Sequence, residues 1–265
     1  MQITHARRTE ATGARPGSRW PSWLAPAARY GEYALGAATV VTLLLSIWMA
    51  FGYAPTDYAY SPTNIALDEV QRIEYFHVPI AWVAYLAFFV VAVAGILYLW
   101  RKDERWDWLA RASAEIGTVF TTLVLITGSL WGRGALGWWW VWDARLTTSL
   151  LLWFVYAGYL LLRSYTGRSE SGARAAAVLG IVAFVGVPIN YLSVTWWNTQ
   201  HPPREVLGGG SNQSPPQVVI TVLVCLLAFT LLFCFLLLQA YRLQRMQSQA
   251  LGLRARAELA ALDEG

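Results

Sequence analysis

The chain has 265 residues, of which 56% are hydrophobic and only 14% are charged, whereas about 25% of the residues in an ordinary soluble domain are charged. This composition excludes a soluble domain as the main part of the chain. The formal net charge of +4 does not indicate nucleic-acid binding, because the basic residues cluster on one side of the apolar segments, as membrane topology requires.

Six runs without Asp, Glu, Lys or Arg predict six membrane-spanning helices, since a helix needs about 20 mainly apolar residues to cross a bilayer. The third and fourth runs are short for a membrane span, and they reach membrane length only if their Trp-rich ends are included. The sixth run begins with a Gly- and Pro-rich segment that predicts a loop, so it supplies one helix and not two. The runs are residues 33–55, 75–100, 116–132, 146–162, 175–203 and 206–241. The predicted fold class is therefore an all-α integral membrane protein.

The predicted helices divide the chain into three parts. Residues 1–30 are rich in Arg, Ala, Gly and Pro and predict a flexible cytoplasmic arm. Residues 31–245 form the six-helix membrane domain, whose first helix is predicted over residues 34–51. Residues 246–265 are predicted to be a cytoplasmic tail. Membrane lipid is an expected partner of the membrane domain.

Single residues predict where two of the later helices begin and where a third is interrupted. The second helix is predicted to begin near His77 and Pro79, because proline is tolerated in a first turn. The fourth helix is predicted to begin at about Arg145. The fifth is predicted over residues 175–194, with a kink at Pro188, whose ring and missing N–H disturb a helix interior.

The distribution of Lys and Arg predicts the orientation. Sixteen of the 20 lie in the N-terminal arm, the second and fourth connections and the C-terminal tail, and only four lie in the other three connections. By the positive-inside rule both termini are cytoplasmic. The first, third and fifth connections, and with them a Trp-rich loop, are then expected on the outer side of the membrane.

The Trp-rich stretch of residues 131–145, in which the third helix is predicted to end, contains five tryptophans, two arginines and one carboxylate. Tryptophan commonly anchors helix ends at a membrane interface, but one or two rings per helix end suffice for an anchor. The dense block favours a binding surface for a large, flat, apolar group that carries negative charge. Asp143 has three candidate roles: capping the fourth helix, pairing with Arg145, or orienting a Trp N–H. Capping ranks first, because Asp is a preferred N-cap residue.

Two of the three histidines, His77 and His201, lie at the predicted outer ends of the second and fifth helices. Each alone is an ordinary interfacial polar residue, but two imidazoles on one side can occupy both axial positions of a haem. Zinc is a weaker alternative, because few further ligands face the same side. The anionic haem propionates would suit the outer arginines Arg72, Arg133 and Arg145.

These segments resemble the CcmC family, the haem exporter protein C of cytochrome c maturation. The segment Trp139-Trp140-Val141-Trp142-Asp143-Ala144-Arg145 is similar to the tryptophan-rich WWD motif of haem-handling proteins. The flanking histidine segments of that family resemble His77-Val78-Pro79 and Trp196-Trp197-Asn198-Thr199-Gln200-His201. The resemblance extends from the first to the sixth helix. Two departures are that Leu136 stands where the family usually has Trp, and that Trp138 is an additional ring.

The resemblance implies non-covalently bound haem b, with His77 and His201 as axial ligands. It implies delivery of haem to the chaperone CcmE, together with CcmD and the transporter pair CcmA and CcmB. Such a delivery protein need not turn over a small substrate. It also implies the bacterial inner membrane, with the functional loops on the periplasmic side. The remaining cofactor-binding residues carried over are Trp131, Trp139, Trp140, Trp142, Asp143, Arg72, Arg145 and Trp197.

Three other classes of function stay open at this stage. A haem lyase similar to CcsA or CcmF shares the WWD motif, but no additional histidine pair lies within the helices for a second haem. A permease subunit of a haem ABC transporter would be expected to have charged residues deep in its helices. A structural subunit would use the Trp block as an anchor alone. An absorption spectrum of the purified protein separates the haem-binding classes from the last two.

Overall fold

The computed structural model describes residues 24–56, 68–197, 199 and 214–263 of the chain. All regular structure in these residues is helical. In chain order the elements are α1 (Leu24–Trp48), a π-helical turn (Met49–Tyr53), a 3-10 helix (Asp68–Ile73), α2 (Glu74–Arg101), α3 (Glu104–Leu136), α4 (Ala144–Thr166), α5 (Glu170–Phe184), α6 (Gly186–Trp196) and α7 (Pro216–Asp263).

Six helical stretches among the described residues are long and apolar enough to cross a membrane. They are Tyr30–Tyr53, Glu69–Arg101, Glu104–Leu136, Ala144–Thr166, Glu170–Trp196 and Pro216–Asp263. The fifth stretch comprises α5 and α6 together. The prediction of an all-helical protein with six spans is confirmed, and the chain is a multi-pass membrane protein.

Two predicted helix starts are wrong in position. Helix α1 begins at Leu24, inside the segment that composition predicted to be an arm, because its Ala-rich start favours helix. Helix α2 begins at Glu74 and contains Pro79 in its second turn, not its first. Glu74 places a carboxylate in the first turn, where the positive end of the helix dipole stabilises it.

The predicted interruption at Pro188 is confirmed. Helix α5 ends at Phe184 and α6 begins at Gly186. Pro188 has no N–H to donate to the carbonyl of Phe184, four residues earlier, so the α-helical ladder cannot continue through this point. The interruption divides the fifth span into two helices, α5 and α6.

Helix α2 is the central helix, since it packs against α3, α5 and α7. Gly117 of α3 lies close against Phe88 of α2. A Cβ added to Gly117 would be only 2.6 Å from the Phe88 ring, so a larger residue would not fit here. The same ring stacks on Tyr156 of α4, with ring centroids 3.5 Å apart and planes at 7°. This buried contact fixes the antiparallel register of α2 and α3, and it therefore determines which α3 residues face His77 three turns away.

The end of the bundle remote from His77 contains a buried ion pair between α3 and α4. Arg163 is only 1% exposed and donates from Nη2 to the Oδ2 of Asp107 at 2.6 Å. Beyond this end α7 continues as one helix of 48 residues, about 72 Å long at 1.5 Å per residue. A hydrocarbon core is about 30 Å thick, so α7 extends far past it, and its helix includes most of the predicted tail.

Candidate functional site

Four helix ends meet at one end of the bundle, which we call the tryptophan-rich end: the N-termini of α2 and α4 and the C-termini of α3 and α6. His77 of α2 bonds to Thr127 of α3, and Arg145 of α4 bonds to Asn190 of α6. The 3-10 helix that precedes α2 packs on α3, where a Cβ added to Gly134 would lie 2.7 Å from the side chain of Val70.

His77 lies half-buried in the first turns of α2, facing α3. Its Nδ1 is 2.7 Å from the Oγ1 of Thr127. Its ring edge lies against the next residue of α3, because a Cβ built on Gly128 would be 3.3 Å from the ring Cε1. The predicted ligand is therefore held by the helix whose C-terminus carries the Trp block.

Helix α3 ends within the Trp block, as the sequence predicted. Trp131 lies in α3, which continues to Leu136, so the segment between α3 and α4 comprises only residues 137–143. Gly137 ends α3 with a φ of 88°, a conformation that glycine adopts without strain. The Nη1 of Arg133 donates to the Gly137 carbonyl, which closes this helix end.

The rings after Gly137 differ in exposure. Trp139 is 58% exposed and Trp142 is 76% exposed, whereas Trp140 is half-buried and packs edge-to-face on Trp142, with centroids 5.5 Å apart. The Nε1 of Trp140 is buried and has no hydrogen-bond acceptor among the described residues. The exposed Trp142 ring thus packs on a Trp140 whose buried N–H has no acceptor in the part of the chain that the structure describes.

A shallow apolar groove lies on the open surface between α3 and α4. Its lining includes Trp139 and Trp153, and the Nε1 of Trp153 donates to the Oγ1 of Thr122 at 2.8 Å. Apolar surface therefore continues from the exposed Trp139 ring onto the facing sides of α3 and α4.

Asp143 caps α4, as the sequence predicted. Its backbone is extended, with φ −89° and ψ 169°, and its Oδ1 accepts from the backbone N–H of Leu146 at 2.8 Å. This bond satisfies one of the N–H groups that a helix start leaves without a partner. Asp143 therefore fixes the point at which the Trp-rich segment joins α4.

Asn190 of α6 holds the first turn of α4 and was missed by sequence reasoning. The residue is 1% exposed, and its side-chain NH₂ lies within 3.2 Å of the Arg145 carbonyl, the Thr148 hydroxyl and the Ser149 hydroxyl. Its Oδ1 accepts from the hydroxyl of Tyr85 on α2. The sequence signal that could have identified Asn190 is its amide side chain in a mainly apolar helix, two residues after Pro188.

The two predicted arginines have different surroundings. Arg145 donates from Nη1 to the Asn190 carbonyl at 2.6 Å, which keeps it at the start of α4 beside the Trp rings. Arg72 pairs with Glu69, with the Nε and Oε2 atoms 2.5 Å apart, and donates to the Ala50 carbonyl. Arg72 therefore ties the 3-10 helix to the π-helical turn, and in this structure its donors face those partners.

The second predicted ligand, His201, lies outside the described residues. Trp197 ends α6 and packs edge-to-face on Trp196, with centroids 5.9 Å apart. The structure thus brings together His77, Trp131, the residues of the 137–143 segment and Arg145, and it places Trp197 at the α6 terminus of the same end.

Comparison with known proteins gives a consistent result. Residues 19–256 match the family model described as Heme exporter protein C. The chain is 40% identical over 208 residues to the Heme exporter protein C of Bradyrhizobium diazoefficiens, covering 78% of this chain and 76% of that protein. It is 35% identical over 216 residues to the Haemophilus influenzae protein of the same name, covering 80% and 83%.

A more distant relative is the putative cytochrome c biosynthesis ccmC-like mitochondrial protein of Marchantia polymorpha. It is 33% identical over 187 residues, covering 69% of this chain and 75% of the relative. The family match includes the first five membrane-crossing stretches of the described residues in full and the sixth as far as residue 256. The chain therefore belongs to the CcmC family, the heme exporter protein C family.

Proposed function

We propose that this protein binds haem b at its tryptophan-rich end and delivers it to the haem chaperone CcmE during cytochrome c maturation. Membership of the heme exporter protein C family supports a role in haem handling. The observation that carries the proposal is the contact between His77 and α3, because it joins a candidate iron ligand to the helix that ends in the Trp rings.

The residues of this end fit the chemistry of haem. A flat macrocycle with two anionic propionates needs ring-shaped apolar surface, hydrogen-bond donors and axial ligands. Trp139 and Trp142 supply exposed ring faces, and Trp140 supplies a buried N–H that has no acceptor among the described residues. Arg145, held by Asn190, supplies positive charge beside them.

In this proposal two histidines would hold the iron: His77 of α2 and His201, which follows Trp197 by four residues in the sequence. The exposed Trp rings would supply apolar surface to the haem. Haem held without a covalent bond to the protein could be released, as a delivery protein requires.

We further propose the orientation and location. The tryptophan-rich end faces the periplasm, both termini are cytoplasmic, and the membrane is the bacterial inner membrane. The excess of Lys and Arg in the connections at the other end supports this orientation. CcmD and the transporter pair CcmA and CcmB are the proposed partners within the membrane.

Protease accessibility tests the orientation. In sealed spheroplasts we expect tags placed before Met1 and after Gly265 to be protected from added protease. A protease site inserted at residues 208–210 is expected to be cut, because the positive-inside rule places this connection outside. Detergent-permeabilised spheroplasts are the control, in which all three positions must be cut. Cleavage of either terminal tag in sealed spheroplasts overturns the orientation and the periplasmic site.

Transfer to the chaperone tests the function. The protein is co-expressed with CcmA, CcmB, CcmD and CcmE in a host that lacks its own copies, and haem on CcmE is measured by in-gel peroxidase staining. We expect haem-loaded CcmE only when this chain is present. Haem attached to an apocytochrome in the presence of this chain and the absence of CcmE would contradict delivery and would favour the lyase alternative.

A further inference from the structure

We propose that Thr127 is a positioning residue that fixes the tautomer of His77, with the proton on Nδ1 and the lone pair on Nε2. Nε2 is then the nitrogen that binds the haem iron. The binding of iron by Nε2 rests on the proposed function. The tautomer of His77 does not, because the hydrogen bond that sets it is present in the protein without haem.

The hydroxyl of Thr127 has one hydrogen, and its position follows from its neighbours. The Oγ1 lies 2.7 Å from the Leu123 carbonyl oxygen and 3.4 Å from the Val124 carbonyl oxygen. Neither carbonyl has a hydrogen to donate, so the hydroxyl must donate to this pair. If it pointed elsewhere, two oxygen lone pairs would face each other at 2.7 Å.

The contact with His77 then has a defined direction. The Thr127 hydroxyl donates its only hydrogen within α3. Its Oγ1 can therefore only accept a hydrogen bond from His77 Nδ1, which lies 2.7 Å away. Nδ1 must therefore carry the proton and donate it. A neutral imidazole has one N–H, so its Nε2 is unprotonated and can act as a metal ligand.

This arrangement also fixes the plane of the ring. Thr127 engages Nδ1, and Gly128 lies against Cε1, where a Cβ would come within 3.3 Å. Any larger residue at 128 would push the ring away from the hydroxyl. Trp131 follows one helical turn later on the same face of α3, so one helix face sets both the histidine and the first Trp ring.

The bond has two expected consequences for a bound metal. A donated Nδ1–H increases the basicity of the coordinating nitrogen, and loss of such a partner typically lowers metal affinity about 10- to 100-fold. A more basic imidazole stabilises ferric over ferrous iron. Without the bond, haem retention should fall and the midpoint reduction potential should become more positive.

The test compares Thr127→Val, which removes the hydroxyl with little change of shape, with Thr127→Ser, which keeps it. Thr118→Val is the matched control, because the Thr118 hydroxyl on the same helix bonds to the Ala114 carbonyl within α3. The first measurement is ¹⁵N NMR of histidine-labelled protein without haem in bilayers, with the His77 signals assigned by difference against His77→Ala. The second is a haem titration and a redox titration of each variant.

We expect a protonated Nδ1 and an unprotonated Nε2 at His77 in the unsubstituted protein, in Thr127→Ser and in Thr118→Val. In Thr127→Val we expect the tautomer preference to be lost, haem affinity to fall at least tenfold, and the potential to rise. An unchanged NMR pattern and an unchanged potential in Thr127→Val overturn the inference. If the NMR pattern changes as expected but His77→Ala binds haem normally, the inference on the tautomer stands and the proposed axial ligation fails.

Discussion

Replacing His77 with alanine is expected to abolish the low-spin haem spectrum of the purified protein, and replacing His201 with alanine is expected to do the same. Each substitution removes one of two axial ligands, and a single imidazole leaves the iron five-coordinate or bound to water. The Trp rings would still hold part of the haem, so the residual haem should be high-spin and well below the normal content after washing.

The measurement is haem per protein, by pyridine haemochrome assay, together with the absorption spectrum of each variant. His5→Ala is the matched control, because it removes the remaining histidine, which lies in the N-terminal segment. This control should have the spectrum of the unsubstituted protein. A normal low-spin spectrum in the double variant of His77 and His201 would show that other residues bind the iron.

The second large effect is expected at the Trp rings after Gly137. We expect the combined change of Trp139, Trp140 and Trp142 to Ala to preserve membrane insertion while it lowers haem retention and the yield of haem-loaded CcmE at least tenfold. Trp139 and Trp142 are mostly exposed and contribute little to the core. Trp140 offers a buried N–H with no acceptor among the described residues, which suits a carboxylate of the bound group.

Two controls separate a haem cradle from a membrane anchor. The combined change of the same three residues to Phe retains bulk and ring character, which an anchor needs, but removes the Trp140 N–H. Trp100→Ala removes a ring that is 74% exposed at the other end of α2 and should leave haem content normal. If the Ala triple variant has normal haem and normal transfer at normal protein levels, these rings serve as an anchor alone.

The sequence was sufficient for the number of spans because each span is a local property of composition. Charge-free runs of membrane length predict helices without knowledge of their neighbours, and the structure confirms six such stretches. Pro188 predicted the break in the fifth stretch for the same reason, since a missing N–H acts on its own helix. The capping role of Asp143 was predictable because it involves only the three residues that follow it.

Features that depend on two helices could not be predicted in this way. The Thr127–His77 bond joins residues 50 positions apart, and the register that creates it is set by Phe88 and Gly117 elsewhere on the two helices. The Asn190 network likewise requires that α6 pack on α4. The residue at which α3 ends was not predicted, because the apolar Trp block is compatible with both helix and loop.

The ligand pair itself is tested most directly by the spectrum of the unsubstituted protein, purified from haem-replete membranes in mild detergent. Near-infrared magnetic circular dichroism of the oxidised protein distinguishes axial ligand pairs, because the charge-transfer band depends on both ligands. We predict a six-coordinate low-spin haem with the band position of two histidines, in about one haem per protein chain. A histidine–methionine or five-coordinate high-spin signal would contradict axial ligation by His77 and His201. Purification of the folded protein without any haem would contradict the haem-holding role.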